Sequence, residues 1–230
     1  MSQKINIPML GAFLGIIAAI AAGLLSGVQA MTAPQIEANK KAAVSLAMNQ
    51  VLPEYDNEPA VETNTFTSSR GWPVTFFTAR KEGEIVGYAG KVDNTDDGFS
   101  GTVSLMVGLT PEGHVAKIMN GENVNSAVMV TAQTETPGLG TAITDRKVQK
   151  TIIDLIQGSE EIQGLVPNCY LDWYAGKAPG DEVWGIVKDG EAINGKTGAT
   201  ITSRAVSEAV YAISRTAVDN LDALSKGGGQ

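Results

Sequence analysis

Residues 189–206 read Asp-Gly-Glu-Ala-Ile-Asn-Gly-Lys-Thr-Gly-Ala-Thr-Ile-Thr-Ser-Arg-Ala-Val, a loop of small residues leading into the last apolar stripe of the chain. Gly190 to Thr197 spells Gly-x4-Gly-Lys-Thr, the pattern of a phosphate-cradling P-loop, and so raises the prospect of a parallel α/β sheet. After Thr197 only one helix fits, starting near Thr200, with Val206, Val210, Ile213, Ala217, Leu221 and Leu224 on its apolar face. No later strand is left to supply the Mg²⁺-binding aspartate of a nucleotide site, so the P-loop reading fails and the parallel sheet with it. What remains is a helix amino terminus behind a flexible loop. Its N–H groups and partial positive charge suit a phosphate. Gly195 and Gly198 let the backbone come close to a ligand, and Thr197, Thr200, Thr202 and Ser203 bring hydroxyls to that mouth. The same residues also read as an ordinary cap, with Thr200 or Thr202 at the N-cap. The residues alone leave both readings open.

Upstream of the loop the pattern is strand-like. Residues 74–79 and 85–89 are rich in β-branched and aromatic side chains, and 102–110 with 114–119 predict a hairpin across Pro111-Glu112-Gly113. Residues 128–133 predict a further strand, 145–156 a helix closed by Gly158, and 182–187 a short strand before an Asp189-Gly190 turn. Residues 56–70 are polar and turn-rich and predict a linker or irregular entry segment. Together these elements predict one mixed α+β domain.

The amino terminus is of another character. No residue between Lys4 and Glu37 is charged, and residues 5–30 are rich in Ile, Leu, Ala and Gly. About 20 apolar residues cross a bilayer core of roughly 30 Å, and a helix with no polar face does not suit a water-facing surface. A membrane anchor is therefore predicted at 1–33. Val28-Gln29-Ala30 also fits signal-peptide cleavage, and the length of the run and the helix behind it favour a retained anchor. Either reading puts the remaining chain outside the cytoplasm, where nucleoside triphosphates are scarce. Thr32 and Pro34 predict the start of a second helix that Pro53 ends, with Ile36, Val44, Ala47 and Val51 at helical spacing. The predicted organisation is anchor 1–33, helix and linker 34–71, domain 72–224 and flexible tail 225–230.

Composition narrows the chemistry. Among 230 residues the formal net charge is -8, which argues against a nucleic-acid partner. One cysteine, Cys169, makes no internal disulfide and holds no iron–sulfur cluster; one histidine, His114, makes a zinc or haem centre improbable. Any redox cofactor must then be organic. Asp93 to Gly98 opens like a calcium loop, but Thr95 and Ser104 stand at its third and twelfth positions. His114 follows a turn glycine and reads as a solvated hairpin residue. No nucleophile–base pair for hydrolysis is apparent.

Thr197-Gly198-Ala199-Thr200, followed by Ile-Thr-Ser-Arg-Ala-Val, resembles the flavinylation motif of the FMN-binding domain family. Glu135-Thr136-Pro137-Gly138-Leu139-Gly140 is similar to that family's Thr-Pro loop, which lies against the flavin, and Gly98-Phe99-Ser100-Gly101 and Met106-Val107-Gly108 resemble its hairpin core. The anchor leading into Met31-Thr32-Ala33-Pro34-Gln35-Ile36-Glu37 is similar to the G subunits of Rnf complexes; the C subunits of the sodium-translocating NADH:quinone reductase share the domain. The resemblance implies a single-pass electron carrier of the inner membrane, its flavin domain on the periplasmic side. Its partners would be the other membrane subunits of a complex coupling ferredoxin–NAD electron transfer to Na⁺ or H⁺ movement. It implies FMN held covalently on Thr200 by a phosphoester that a separate flavin transferase makes. Around it would stand Glu135, Thr136, Gly138, Leu139, Gly140, Thr197, Gly198, Ala199, Thr202 and Ser203, with Leu139 covering the ring and Thr136 bonding to it. Trp72, Trp173, Tyr174 and Trp184 are read as core packing rather than ring shields. Three positions depart from the family pattern: Asn194 where the transferase usually meets Asp, Lys196 for an apolar residue, and Gln133 for His.

Overall fold

A computed structural model describes residues 7–95, 97–120, 123–146, 165–180, 184–185, 193 and 195–226. The chain forms two units, Met1–Val44 and Ser45–Gln230. In the first, helix α1 (Ile7–Val51) carries an 18-residue window of mean hydropathy 2.2, none of it buried. Met9, Phe13, Ile16, Ile20 and Leu24 all point outward, so this helix is long and apolar enough to cross a membrane.

α1 does not restart at Thr32. It runs unbroken through Pro34, which corrects the expected second start. Proline removes the N–H that would meet the Ala30 carbonyl, and the helix tolerates the loss of that one bond; nearby, the Thr32 hydroxyl donates to the Val28 carbonyl at 3.0 Å. The helix continues into the second unit, where Ala47, Met48 and Val51 are buried.

That second unit is built on an antiparallel five-stranded sheet ordered β1-β2-β3-β4-β7, with β5 and β6 as a separate two-stranded ribbon. The strands are β1 (Thr63–Thr67), β2 (Pro73–Lys81), β3 (Glu84–Thr95), β4 (Val103–Leu109), β5 (Lys117–Asn120), β6 (Asn123–Ser126) and β7 (Val128–Gln133). β1 lies in the stretch expected to be a linker. Its Thr-rich sequence hides it, because only Phe66, packed at 6.1 Å on Phe76, is a large apolar side chain. β4 is buried along its whole length and lies between β3 and β7.

The hairpin expected at 102–119 closes only at its turn. Thr110 N–H donates to the His114 carbonyl at 2.8 Å and Ala116 N–H to the Gly108 carbonyl at 2.8 Å. β5 then leaves to pair with β6, and β7 takes the free edge of β4. A strand has two edges, β3 holds one, and the more apolar 128–133 run takes the other.

The long last helix, α3 (Thr200–Asp219), packs across β3 and β4, after the single turn α2 (Thr141–Thr144). Val206, Val210 and Ile213 are fully buried, each contributing about 1.5–3 kcal/mol. Leu221 and Leu224 belong to a separate turn, α4 (Leu221–Ser225), since Asn220 ends α3 and bonds back to the Thr216 carbonyl at 2.8 Å. The helix expected over 145–156 is absent at its start. Asp145 is extended and gives its carbonyl to the Asn168 side chain at 3.0 Å, while 147–156 and the closing Gly158 lie outside the described residues. Of the strand expected over 182–187, Trp184 and Gly185 are described and neither is in a strand; the rest, with the Asp189-Gly190 turn, lies outside them.

Beneath the ribbon a polar knot replaces apolar packing. Arg146 donates to the carbonyls of Val128 (2.9 Å) and Val166 (2.8 Å) and to Asp172 Oδ1 (2.8 Å), its side chain only 6% exposed. Asp172 also accepts from the backbone N–H of Ser126 at 3.0 Å and of Asn168 at 2.7 Å. Every acceptor is matched, so the buried pair ties residues 165–174 to the sheet. Beside it, Tyr174 and Trp184 stack at 5.8 Å in the core, with Trp173 against it.

Removing one member of the buried pair strands the other. Asp172→Ala is expected to lower unfolding stability by about 3–5 kcal/mol in chemical denaturation of the detergent-solubilised chain. Burial pushes the Tyr174 phenol above its ordinary value, a Ser207 hydrogen bond opposing it. Its stabilising contribution is complete below the unfolded value of about 10 and is lost as pH climbs toward the raised folded value. Tyr174→Phe should flatten the alkaline fall in unfolding free energy.

Candidate functional site

Three segments meet at the amino end of α3. The first is the approach to the helix itself. Gly198 has φ 86°, a left-handed conformation that side chains disfavour. This turn brings Ala199 N–H onto the Lys196 carbonyl at 3.0 Å. Ala199 then occupies the N-cap with no side-chain cap bond, and the first turn holds no acidic residue. Neither threonine is therefore the cap. Thr200 is the first helical residue, and Thr202 turns its hydroxyl to Glu135 Oε2 at 2.7 Å.

The second segment follows β7. Gly138, with φ 77°, folds the chain back so that Leu139 N–H meets the Thr136 carbonyl at 3.2 Å. The Thr141 hydroxyl accepts from Gly138 N–H at 2.8 Å. Lys196 reaches across from the first segment and donates its ammonium to the Gly138 carbonyl at 2.8 Å. The position that departs from the family pattern is thus a clasp between the two loops.

The third segment is the turn between β3 and β4. Ser100 Oγ lies 3.3 Å from Thr136 Oγ1, and the Thr134 hydroxyl donates to the Ser100 carbonyl at 3.2 Å. Together the segments enclose a cleft of about 320 Å³, within the range of small-ligand sites. Eight of the expected site residues line it: Glu135, Thr136, Leu139, Gly140, Gly198, Ala199, Thr200 and Thr202. Gly138 contributes only through its carbonyl, Thr197 is exposed outside the lining, and Ser203 turns its hydroxyl to the Ala199 carbonyl at 2.9 Å. Two lining residues escaped the sequence reading as ligand contacts, Phe99 and Ile201. Both are large, apolar and exposed, at 66% and 44%, and with Leu139 at 42% they make an apolar rim. The signal for them was an apolar side chain isolated in a loop or on the polar side of a helix.

The groups on view suit a phosphorylated, planar aromatic ligand. An uncapped helix start favours an anion, a hydroxyl stands at its first residue, and three apolar side chains edge the opening. FMN has both parts, and the residues present fit it. Trp72, Trp173, Tyr174 and Trp184 are absent from the cleft lining and pack in or against the core, as expected.

Comparison with known proteins agrees. Residues 98–214 match the FMN-binding domain family and residues 1–51 the RnfG N-terminal region. The G subunit of the ion-translocating oxidoreductase complex of Photorhabdus laumondii is 31% identical over 217 residues, covering 90% of this chain and 87% of that protein. The corresponding protein of Pseudomonas aeruginosa is 30% identical over 207 residues (86% and 82%), and that of Vibrio cholerae 28% over 205 residues (87% and 85%).

Gly140 tests the packing of the cleft wall. A Cβ there would stand 2.6 Å from both Cβ and Oε2 of Glu135. Gly140→Ala is expected to cost about 1–3 kcal/mol of unfolding free energy through overpacking, read by thermal denaturation.

Proposed function

The chain belongs to the family of G subunits of ion-translocating oxidoreductase complexes, and from that premise we propose that it carries FMN covalently, through a phosphoester on Thr200, on the extracytoplasmic side of the inner membrane. It is one component of a multi-subunit oxidoreductase and works with the other membrane subunits. The match of residues 1–51 to the RnfG N-terminal region favours this family over the related quinone-reductase component. The observation that carries the reading is the place of Thr200. It is the first residue of an uncapped helix and lines a cleft with an apolar rim.

Each residue then has a task. Thr200 supplies the oxygen that binds phosphorus. A threonine hydroxyl is too weakly acidic to attack a phosphoanhydride unaided, so a flavin transferase with a metal ion provides the activation. The new O–P bond forms as the anhydride of FAD breaks, AMP leaves, and the hydroxyl proton passes to the transferase. The amino end of α3 offsets the phosphate charge with its N–H groups and dipole. Thr136 would offer a hydroxyl to the ring, Leu139, Phe99 and Ile201 would exclude water from it, and Gly198 keeps the approach free of side chains. Bound FMN supplies the electron-transfer chemistry, and the protein sets its environment. α1 anchors the carrier in the membrane, and the flavin domain takes in β1 and the last turns of α1 as well as residues 72–224. The complex couples ferredoxin–NAD electron transfer to movement of Na⁺ or H⁺.

The test is ultraviolet fluorescence of the denatured band after gel electrophoresis, with the transferase co-expressed. Wild type and Thr202→Ala are expected to fluoresce and Thr200→Ala to be dark. A dark wild type, or a fluorescent Thr200→Ala, overturns the assignment.

A further inference from the structure

Glu135 is a buried acid in an unusual setting. It is only 5% exposed, and acids at that depth are rare unless paired with a cation. No ion pair to it exists among the described residues. Oε2 accepts the Thr202 hydroxyl at 2.7 Å, its backbone N–H donates to Gln133 Oε1 at 2.6 Å, and Oε1 has no partner. Its place is nevertheless closely built. A Cβ on Gly98 would stand 2.6 Å from Oε1, and one on Gly140 2.6 Å from Oε2. Two glycine backbones thus form walls of a slot for this carboxylate, and the Thr202 hydroxyl closes on it from α3.

A structural tie alone would not require an acid. A neutral amide also accepts the Thr202 hydroxyl, and it avoids the desolvation that a charge carries. What an acid adds is a fixed negative potential in a water-poor place, where the local dielectric strengthens its field. Glu135 lines the cleft through the same residue that joins it to α3. The first turn of α3 holds no acidic residue of its own, so Glu135 is the carboxylate nearest the helix start in the cleft lining.

We propose that Glu135 sets the reduction potential of the flavin in this cleft, its buried carboxylate opposing the negative charge that each added electron brings. The inference rests on the flavin assignment above and concerns a different property of the same site. Electrons enter the ring and none leave Glu135; the residue neither gains nor loses a bond. Its effect is a field, held in place by Thr202 and the Gly98 and Gly140 backbones.

The experiment is a spectroelectrochemical titration of the full, flavin-loaded chain in detergent, wild type against Glu135→Gln under identical buffer conditions. Glu135→Gln is expected to shift the midpoint to a more positive value while the flavin stays covalently bound. An unchanged or more negative midpoint in a loaded, folded Glu135→Gln protein overturns the proposal. If Glu135→Gln does not fold, Thr202→Ser and Thr202→Val carry the test. Serine keeps the hydrogen bond and the wild-type midpoint. Valine leaves the charge less compensated and moves the midpoint more negative, and equal midpoints for the two overturn the proposal. A wild type without bound flavin defeats the flavin assignment itself, before any potential is measured.

Discussion

Helix α3 lies against the sheet at a separation that only glycine at position 90 permits: a Cβ there would reach 2.3 Å from Ile213 Cγ2 and 2.9 Å from Phe76 Cε1. The helix reciprocates with small residues. Ala205, Ala209, Ala212 and Ala217 are buried, and Ser214 donates its hydroxyl to the Gly113 carbonyl at 2.7 Å. Close backbone approach leaves the helix little freedom to slide, because packed interiors resist even small shifts of volume. The position of Thr200 follows from that contact. A helix free to move by one turn would carry its first residue about 5.4 Å away from the Thr-Pro loop.

Two kinds of interaction complete the unit, and they divide the labour. Around the sheet, apolar burial does the stabilising. On the side of residues 165–174 the same task falls to Arg146, Asp172 and Asn168, whose hydrogen bonds join chain segments twenty or more residues apart. The cleft lies where three loops meet, and there the ties are single: Lys196 to Gly138, Thr202 to Glu135, Ser100 beside Thr136.

The parts that sequence revealed were those whose signal is local. β7 occupies the predicted residues because a compact apolar run stands between turns, and α3 begins at Thr200 because its stripe has the helical period. The 197–200 stretch and the Thr-Pro loop were legible as short patterns, and the fold brings their main residues together in one cleft. What stayed hidden depends on distant partners. β1 has its partner in β2 and little hydrophobicity of its own. The exchange of β5 for β7 at the edge of β4 is a competition that no single segment records. Phe99 joins the cleft through Ser100 and Thr136, which lie 36 positions apart. Pro34 misled because a proline reads as a start, whereas the run of helix formers on both sides carries the helix through it.

The last turns of α1 bear on where this protein can be divided. Ala47, Met48 and Val51 fill the core, and Gly108 is held so close to that helix that a Cβ on it would sit 2.0 Å from the Val51 carbonyl oxygen. The tail end of the apolar rod is thus a plug for the globular body. Trimming the chain before residue 45 would leave the plug in its socket. Trimming after residue 52 would open a greasy hole beside β4. The boundary between the two units and the boundary of the helix are different places, and a protease that respects the first must cut through regular helix.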